Sequence, residues 1–591
     1  MLETQPSFFT FKGETPPKNN FFNIIKYLAP FKKLAYQLLL LIIIGCAIQF
    51  LFPFLTKSVI DKGVNKHDIR FVYLIMIAQL VLHISYASVE IFRNYLILFL
   101  GTKINYGLIS DFLKKLMVLP IAFFDKKTTG DLLQRINDHQ RIEQFFTTST
   151  IEIVFSFFSI IIFGCVLIIY NIKIFIIYCI GSLIFIIWYF AFIKKRRVIE
   201  YKKMIQLSHN QNNILQIING ITEIKLNNCS TKKRWEWERK QAKINDLTLT
   251  GLRVMQYQNA GGILLNETKN IIVTIVAAIA VINGTMSIGT MLALQYIIGQ
   301  LNAPIESMAR FFQSYQFASI SFQRLNEIQT FENDEKPEET IKTLSELSDI
   351  KVENLSFKYE NTEVLNNINF NIPTNKITAI VGYSGSGKTT LLKLLLGLYQ
   401  PNQGRILVGD NDLKFCDKNF WRSICGVVMQ DGYIFSDTII NNIVLEGTLI
   451  NESQLKNAIT ISNLDSYVSK LPLGIYTRIG QDGIGLSQGQ KQRILIARAI
   501  YKNPLFFFFD EATSALDASN ERTIVENLTN VFKNKTVLII AHRLSTVKNA
   551  DQIIVLGNGQ IAEIGNHSDL IKQQGIYYNL IKDQLELEGK N

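Results

Sequence analysis

Six stretches of this sequence stay apolar over lengths that match the roughly 30 Å hydrocarbon core of a bilayer. They run from Leu34 to Leu55, Phe71 to Leu100, Ile151 to Tyr170, Ile172 to Ile193, Thr268 to Ile282 and Ile288 to Phe312. Inside hydrocarbon the backbone must satisfy its own hydrogen bonds, and stretches of this length do so as helices, so a six-helix all-α transmembrane domain is expected. The fifth stretch is short unless it begins within Gly261 to Glu267. Past residue 330 such stretches cease. The composition, 48% hydrophobic and 19% charged with a mean hydropathy of +0.17, is what a membrane half joined to a soluble half gives. The expected division is a tail and interfacial helix over 1–33, the transmembrane domain with long cytoplasmic helix extensions over 34–330, a linker over 331–349 and a soluble α/β domain over 350–591.

Charge sets the orientation. Lys103, Lys114, Lys115, Lys126, Lys127, Arg135 and Arg141 follow the second stretch, and Lys194, Lys195, Arg196 and Arg197 follow the fourth. By the positive-inside bias both loops are cytoplasmic, and the short turns at Asn171 and at Asn283 to Ser287 face outward. The formal charge of +12 sits largely beside apolar segments, which reads as topology and headgroup attraction and argues against nucleic acid as a partner. Ahead of the first stretch, Phe21, Phe22, Ile24, Ile25 and Leu28 crowd a segment ending at Pro30 near Lys26, Lys32 and Lys33, the pattern of an interfacial helix. The first 20 residues are polar and carry Pro6, Pro16 and Pro17, so no cleavable signal peptide is expected. Cys46, Cys165, Cys179, Cys229, Cys416 and Cys425 form no CxxC pair, and three of them lie in apolar runs, which points to free thiols rather than disulfides or zinc. Glu90 and Arg93, three apart in the second stretch, are either a structural ion pair or the lining of a cavity for polar cargo. Glu267 and Glu306 pose the same alternative.

From about Thr330 to Asp349 the chain turns polar and charged, the mark of a boundary. Beyond it, a strand from Lys376 to Val381 leads into Gly382-Tyr383-Ser384-Gly385-Ser386-Gly387-Lys388-Thr389-Thr390 and an apolar helix from Thr389 to Leu398. Glycines at these spacings let the backbone curl until its amides point at phosphates. Lys388 then reaches the β and γ phosphates, and Thr389 offers its hydroxyl to Mg²⁺. A second phosphate-site element is Leu505-Phe506-Phe507-Phe508-Phe509-Asp510-Glu511, a buried strand that delivers Asp510 to its C-terminal edge as a magnesium ligand through water. Glu511 follows where a carboxylate orients or deprotonates the attacking water. The fold expected is therefore an α/β P-loop ATPase domain, with a helical subdomain, taking ATP and Mg²⁺.

Between these elements, Leu486-Ser487-Gln488-Gly489-Gln490-Lys491-Gln492-Arg493 resembles the signature sequence of ABC transporter ATPases, with Gln488 where that signature usually has glycine. Three further segments are similar: Gln430 after a strand, as in the Q-loop; Ser514-Ala515-Leu516-Asp517, as in the D-loop; and His542 after the strand Thr536 to Ala541, as for the switch histidine. Tyr359 in Phe357-Lys358-Tyr359 looks like the aromatic that stacks on adenine. The resemblance implies that Glu511, His542 and Gln430 serve catalysis. It implies that Tyr359, Gly382, Ser384, Gly385, Ser386, Gly387, Lys388, Thr389, Thr390, Ser487, Gly489, Gln490 and Asp517 hold nucleotide, and that Thr389, Gln430 and Asp510 hold the metal. It also implies pairing of the signature of one subunit with the phosphate loop of another, and with every motif present in one chain a homodimer is expected.

Six apolar stretches ahead of the ATPase resemble the exporter type of this family. Pro120 through Asp138, and Gly220-Ile221-Thr222-Glu223-Ile224-Lys225, look like the two inner loops whose short coupling helices meet the ATPase. Arg135 to Glu143 and the Gln-containing signature are similar in wording to bacteriocin and peptide exporters, many of which carry an N-terminal cysteine peptidase. The residues ahead of the first stretch contain neither Cys nor His, so no Cys/His nucleophile pair is expected there. The implied activity is ATP-driven export of a peptide or other amphipathic cargo across the cytoplasmic membrane. A lipid or multidrug exporter is the alternative of the same fold, ahead of an importer or a non-pumping regulator.

Overall fold

The computed structural model describes residues 29–331, 333–334, 341, 348–445, 449–480, 482–541 and 547–588, at 29, 518–519 and 584–588 for the backbone alone. It divides into one unit of Met1–Leu119 with Phe123–Glu332 and another of Pro120–Ala122 with Asn333–Asn591. The expected interfacial helix lies outside the described residues, apart from the turn Ala29–Phe31.

In the first unit the six apolar stretches fall in helices Lys32–Ser58, Ile69–Val118, Thr150–Tyr170, Ile172–Ala191, Ser230–Ile282 and Ile288–Gln329. Side-chain caps start three of them. Asp68 accepts from the Phe71 amide at 3.1 Å, Asn171 from Lys173 at 2.9 Å, and Ser287 from Thr290 at 3.1 Å, each satisfying orphan donors of a first turn. At about 1.5 Å per residue the 50-residue helix Ile69–Val118 and the 53-residue helix Ser230–Ile282 are about 75 and 80 Å long. Both therefore continue far outside the hydrocarbon, and the short fifth stretch is the end of a much longer helix.

Among the described residues, five helical runs are both long and apolar enough to cross a membrane: Lys32–Val64, Ile69–Val118, Thr129–Tyr170, Ile172–Asn219 and Ser230–Ile282. The sixth stretch differs. Its helix is long enough at 42 residues, but Gln295, Gln300 and Asn302 interrupt its apolar run. It packs against Thr150–Tyr170, Thr129–Gln144 and Lys32–Ser58 and buries positions from Ala293 to Ile328. A helix enclosed by other helices tolerates polar positions that a lipid-facing one does not.

Glu90 and Arg93 form the ion pair that their spacing allows, at 3.1 Å, and the Arg93 guanidinium also lies 4.9 Å from the Phe155 ring. A further intramembrane charge had no counterpart in the sequence reading. Lys269 is 4% exposed, donates to Asn302 Oδ1 at 3.0 Å and stands 4.0 Å from the centre of the Tyr178 ring. Gly181 makes the space, since a Cβ there would lie 2.7 Å from Lys269 Cγ. Short helices Ile121–Lys126 and Ile221–Leu226 occupy the two segments singled out as inner-loop helices.

In the second unit, strands β1 (Ile350–Tyr359), β2 (Thr362–Ile372), β3 (Ile377–Gly382), β4 (Gln403–Val408), β5 (Asn411–Asp412), β6 (Cys425–Val428), β7 (Asp437–Thr438), β8 (Arg478–Ile479), β9 (Phe506–Asp510), β10 (Thr536–Ile540), β11 (Gln552–Gly557) and β12 (Gln560–Gly565) form three sheets. The central one has the order β12-β11-β3-β10-β9-β6, parallel from β11 to β6 with β12 antiparallel at the edge. An antiparallel sheet of order β2-β1-β4-β5 and the pair β7-β8 complete the set. The four phenylalanines of β9 show why a continuous apolar run becomes a central strand. Phe507 and Phe509 enter the core on one face, Phe506 and Phe508 that on the other, and Trp421 covers Phe506 at 5.0 Å. Helices Ile439–Ile443, Glu452–Ile461 and Asp465–Val468 make up the helical part that precedes the signature segment.

Candidate functional site

The glycine-rich loop leaves β3 and enters helix Lys388–Leu395. Gly387 has φ +101°, a left-handed conformation that favours glycine, and a Cβ there would meet Leu365 Cδ2 at 2.7 Å. At Gly382 a Cβ would come within 2.2 Å of the Leu556 carbonyl oxygen. Lys388 folds back over the loop, donating to the carbonyl oxygens of Gly382 and Tyr383, both at 2.9 Å. Burial pulls its pKa down, opposed by the nearby charges of Glu511 and Asp510. Ser386 is buried and its hydroxyl has no protein partner among the described residues, while Ser384 and Gly385 are exposed.

β9 is separated from β3 only by β10, so the two strand ends bring Asp510 and Glu511 beside the loop. Asp510 is buried, and neither carboxylate oxygen has a hydrogen bond of full geometry among the described residues. Burial foremost, and then the Glu511 charge, push its pKa up, against the neighbouring Thr389 hydroxyl and the Lys388 and Lys393 charges. An oxygen donor left bare in this way, with Thr389 next to it, suits a hard cation of the Mg²⁺ type that keeps several waters. No cluster of three His, Cys, Asp or Glu that would hold a metal unaided occurs among the described residues.

Glu511 turns the chain with φ +49°, rare for a residue with a Cβ and a small store of strain where it occurs. Its amide donates to Ile540 O at 3.0 Å, and its carboxylate accepts from Gln430 Nε2 at 3.1 Å. The structure thus joins two residues that lie 81 positions apart. A third residue, not singled out from the sequence, holds the backbone at Glu511 and after it. Gln492 Nε2 donates to Glu511 O at 3.3 Å and to Ser514 Oγ at 3.2 Å, and Gln492 Oε1 accepts from the Ala515 amide at 3.0 Å. Its signal was a single buried polar position on the apolar side of the helix that continues through Ile494, Leu495 and Ile496.

The signature segment opens helix Gln488–Tyr501 with a reciprocal cap: the Gln490 amide donates to Ser487 Oγ at 3.2 Å, and the Ser487 amide to Gln490 Oε1 at 2.8 Å. Ser487 and Gln488 are exposed. A Cβ on Gly489 would lie 3.3 Å from Ala515 O, so this glycine allows the close approach to the following loop. Asp517 caps helix Ala518–Val531 and accepts from Asn520 Nδ2 at 2.6 Å. Tyr359 ends β1, half-buried, its ring edge-on to Phe357 at 4.9 Å and to Tyr399 at 5.4 Å. Thr390 lies in the first turn of the loop helix. His542 lies outside the described residues.

Residues 36–305 match the ABC transporter transmembrane region, and residues 365–514 the ABC transporter family. The alpha-hemolysin translocation ATP-binding protein of Escherichia coli O157:H7 is 32% identical over 556 residues, covering 92% of this chain and 77% of that protein. The leukotoxin export ATP-binding protein of Aggregatibacter actinomycetemcomitans is 32% identical over 565 residues, 94% of this chain and 78% of that one. Among solved structures, a bacterial Atm1-family ABC exporter with ATP bound superposes with a TM-score of 0.88 at 22% identity, over 94% of this chain and 99% of the other.

Proposed function

This chain belongs to the ABC transporter family, as a multi-pass membrane exporter whose ATPase drives transport, and on that premise we propose that it exports a polypeptide across the cytoplasmic membrane as a homodimer. Support for a polypeptide cargo comes from relatives named for translocating hemolysin and leukotoxin. Residues 34–330 are taken as the transmembrane domain and 350–591 as the nucleotide-binding domain.

The observation that carries the chemistry is the pairing of a bare, buried Asp510 with a Glu511 held by Gln430. In this reading the loop amides and Lys388 bind the β and γ phosphates of ATP, which requires Lys388 to leave its two carbonyl partners. Tyr359 contacts adenine. Thr389, Gln430 and Asp510 hold Mg²⁺, which supplies charge neutralisation on the phosphates. Glu511 orients the attacking water, and His542 acts on the γ phosphate. Ser487, Gly489, Gln490 and Asp517 of each subunit complete the site of the other, so that two ATP molecules lie at one two-fold interface. Closure of that interface is the step that ATP drives.

The test is release of a polypeptide from proteoliposomes containing the purified chain. MgATP-dependent transport of polypeptides, with no transport of fluorescent lipids or cationic drugs, supports the reading. Lipid or drug transport without polypeptide transport overturns it.

A further inference from the structure

Helices Ile172–Ala191 and Ile193–Asn219, together with Ser230–Ile282 and Ile288–Gln329, line an open cavity of about 440 Å³, within the roughly 300 to 1,000 Å³ of small-molecule sites. Its lining is mixed: Arg196, Gln258, Gln313, Arg310 and Glu306 are polar, and Phe185, Met255 and Ile263 are apolar. Arg196 is fixed in place. Its Nη1 donates to Gln258 Oε1 at 2.9 Å and to Gln313 Oε1 at 2.8 Å. Gln258, 0% exposed, is itself held, its Nε2 donating to Tyr189 O at 3.1 Å and its carbonyl accepting from Trp188 Nε1 at 3.1 Å. Gly261 admits that indole, since a Cβ there would lie 2.3 Å from Trp188 Cζ2.

Two amide oxygens orient a guanidinium without neutralising it, and no described carboxylate forms an ion pair with Arg196. Glu306 also lines the cavity, but it is engaged by Arg310 at 3.5 Å. Two guanidiniums therefore face one carboxylate, which leaves positive charge in excess. Depth identifies its complement. Arg196 belongs to the basic run Lys194 to Arg197, directly after the fourth apolar stretch, which puts it at headgroup level on the cytoplasmic side.

We infer that this cavity binds the phosphodiester of an anionic glycerophospholipid from the cytoplasmic leaflet, with Arg196 on the phosphate and the apolar side chains Phe185 and Ile263 against the glycerol and first methylenes. A lipid supplies both an anion for Arg196 and an apolar chain for side chains such as Phe185 and Ile263. An acidic peptide carries its charge without that apolar tail.

Native mass spectrometry and thermal unfolding of the full chain in neutral detergent test this, with phosphatidylglycerol, phosphatidylcholine, inorganic phosphate and a glutamate-rich peptide as separate probes. Phosphatidylglycerol is expected to be retained over phosphatidylcholine and to raise the melting midpoint. Arg196→Gln should weaken its retention about fivefold, as expected for loss of one cation near a membrane surface, whereas Lys195→Gln, in the same basic run but exposed, should lose much less. Equal retention of the two lipids by the native chain overturns the inference even if the Arg196 variant fails to fold. So does an equal effect of both substitutions, or an equal midpoint shift from inorganic phosphate or the peptide.

Discussion

Asp510 occupies a position that the folded chain without nucleotide does not favour: a buried carboxylate, pushed up in pKa by desolvation, with no full hydrogen bond on either oxygen. Such a group opposes folding while it is charged. With its folded-state pKa above the unfolded value, the penalty is present at neutral pH and disappears as pH falls through the folded pKa toward the ordinary carboxylate range. Asp510→Asn should therefore raise the stability of the nucleotide-free protein at neutral pH by about 1 kcal/mol and flatten that part of the stability-versus-pH curve, while abolishing MgATP hydrolysis. Thermal unfolding across pH, read beside an ATPase assay, checks both halves. Unchanged stability with lost activity would mean that the carboxylate is solvated in solution. Glu511, in left-handed backbone beside it, and Gln492, which fixes its carbonyl, show the same pattern of local strain and buried polar atoms at a working site.

Polar contacts concentrate in two elements, one a local helix cap and the other a set of ion pairs between distant parts of the chain. At the start of helix Gln488–Tyr501, Ser487 has a structural duty as a cap and a proposed duty toward the phosphate of the second subunit's nucleotide. The two separate by substitution. Ser487→Ala should cost about 1 kcal/mol of stability, whereas Ser487→Asp, also a good cap, should keep stability yet lose hydrolysis because it sets a negative charge against phosphate. Thermal unfolding and ATPase rates of the two variants distinguish these roles, and an active aspartate variant would remove Ser487 from the nucleotide site. In the first unit, helix Thr129–Gln144 is tied to helix Ile288–Gln329 by ions: Arg324 reaches Asp131 at 3.0 Å and Asp138 at 3.0 Å, and Arg135 reaches Glu327 at 2.8 Å. Asp138 is 0% exposed, and burial pushes its pKa up while Arg324, Arg141 and Arg135 pull it back. Arg324→Ala should strand that carboxylate and cost about 3 to 5 kcal/mol, and adding Asp138→Asn should recover a large part of the loss, as measured by a double-mutant cycle on chemical unfolding.

At the scale of the whole chain, what was legible in the sequence is what local pattern encodes. Long apolar runs gave the membrane helices, the run Phe506 to Asp510 gave a central strand, and the glycines from Gly382 to Gly387 gave a loop between strand and helix. What was hidden depends on pairing across the fold. The Arg324–Asp131 contact spans 193 positions, Arg196 reaches Gln313 across 117, and the burial of Lys269 follows from Asn302 and Gly181 on other helices. The polar interruptions of the last membrane helix make sense only when its neighbours are known, because they enclose it. Coupling between hydrolysis and transport is the central claim for the molecule. Its most direct test is MgATP hydrolysis by the purified chain in lipid, native against Glu511→Gln, with and without candidate polypeptides. The account predicts hydrolysis that polypeptide stimulates in the native chain and a rate lower by about 100-fold or more in the variant. Hydrolysis that persists in Glu511→Gln, or a native chain that hydrolyses nothing, would contradict it.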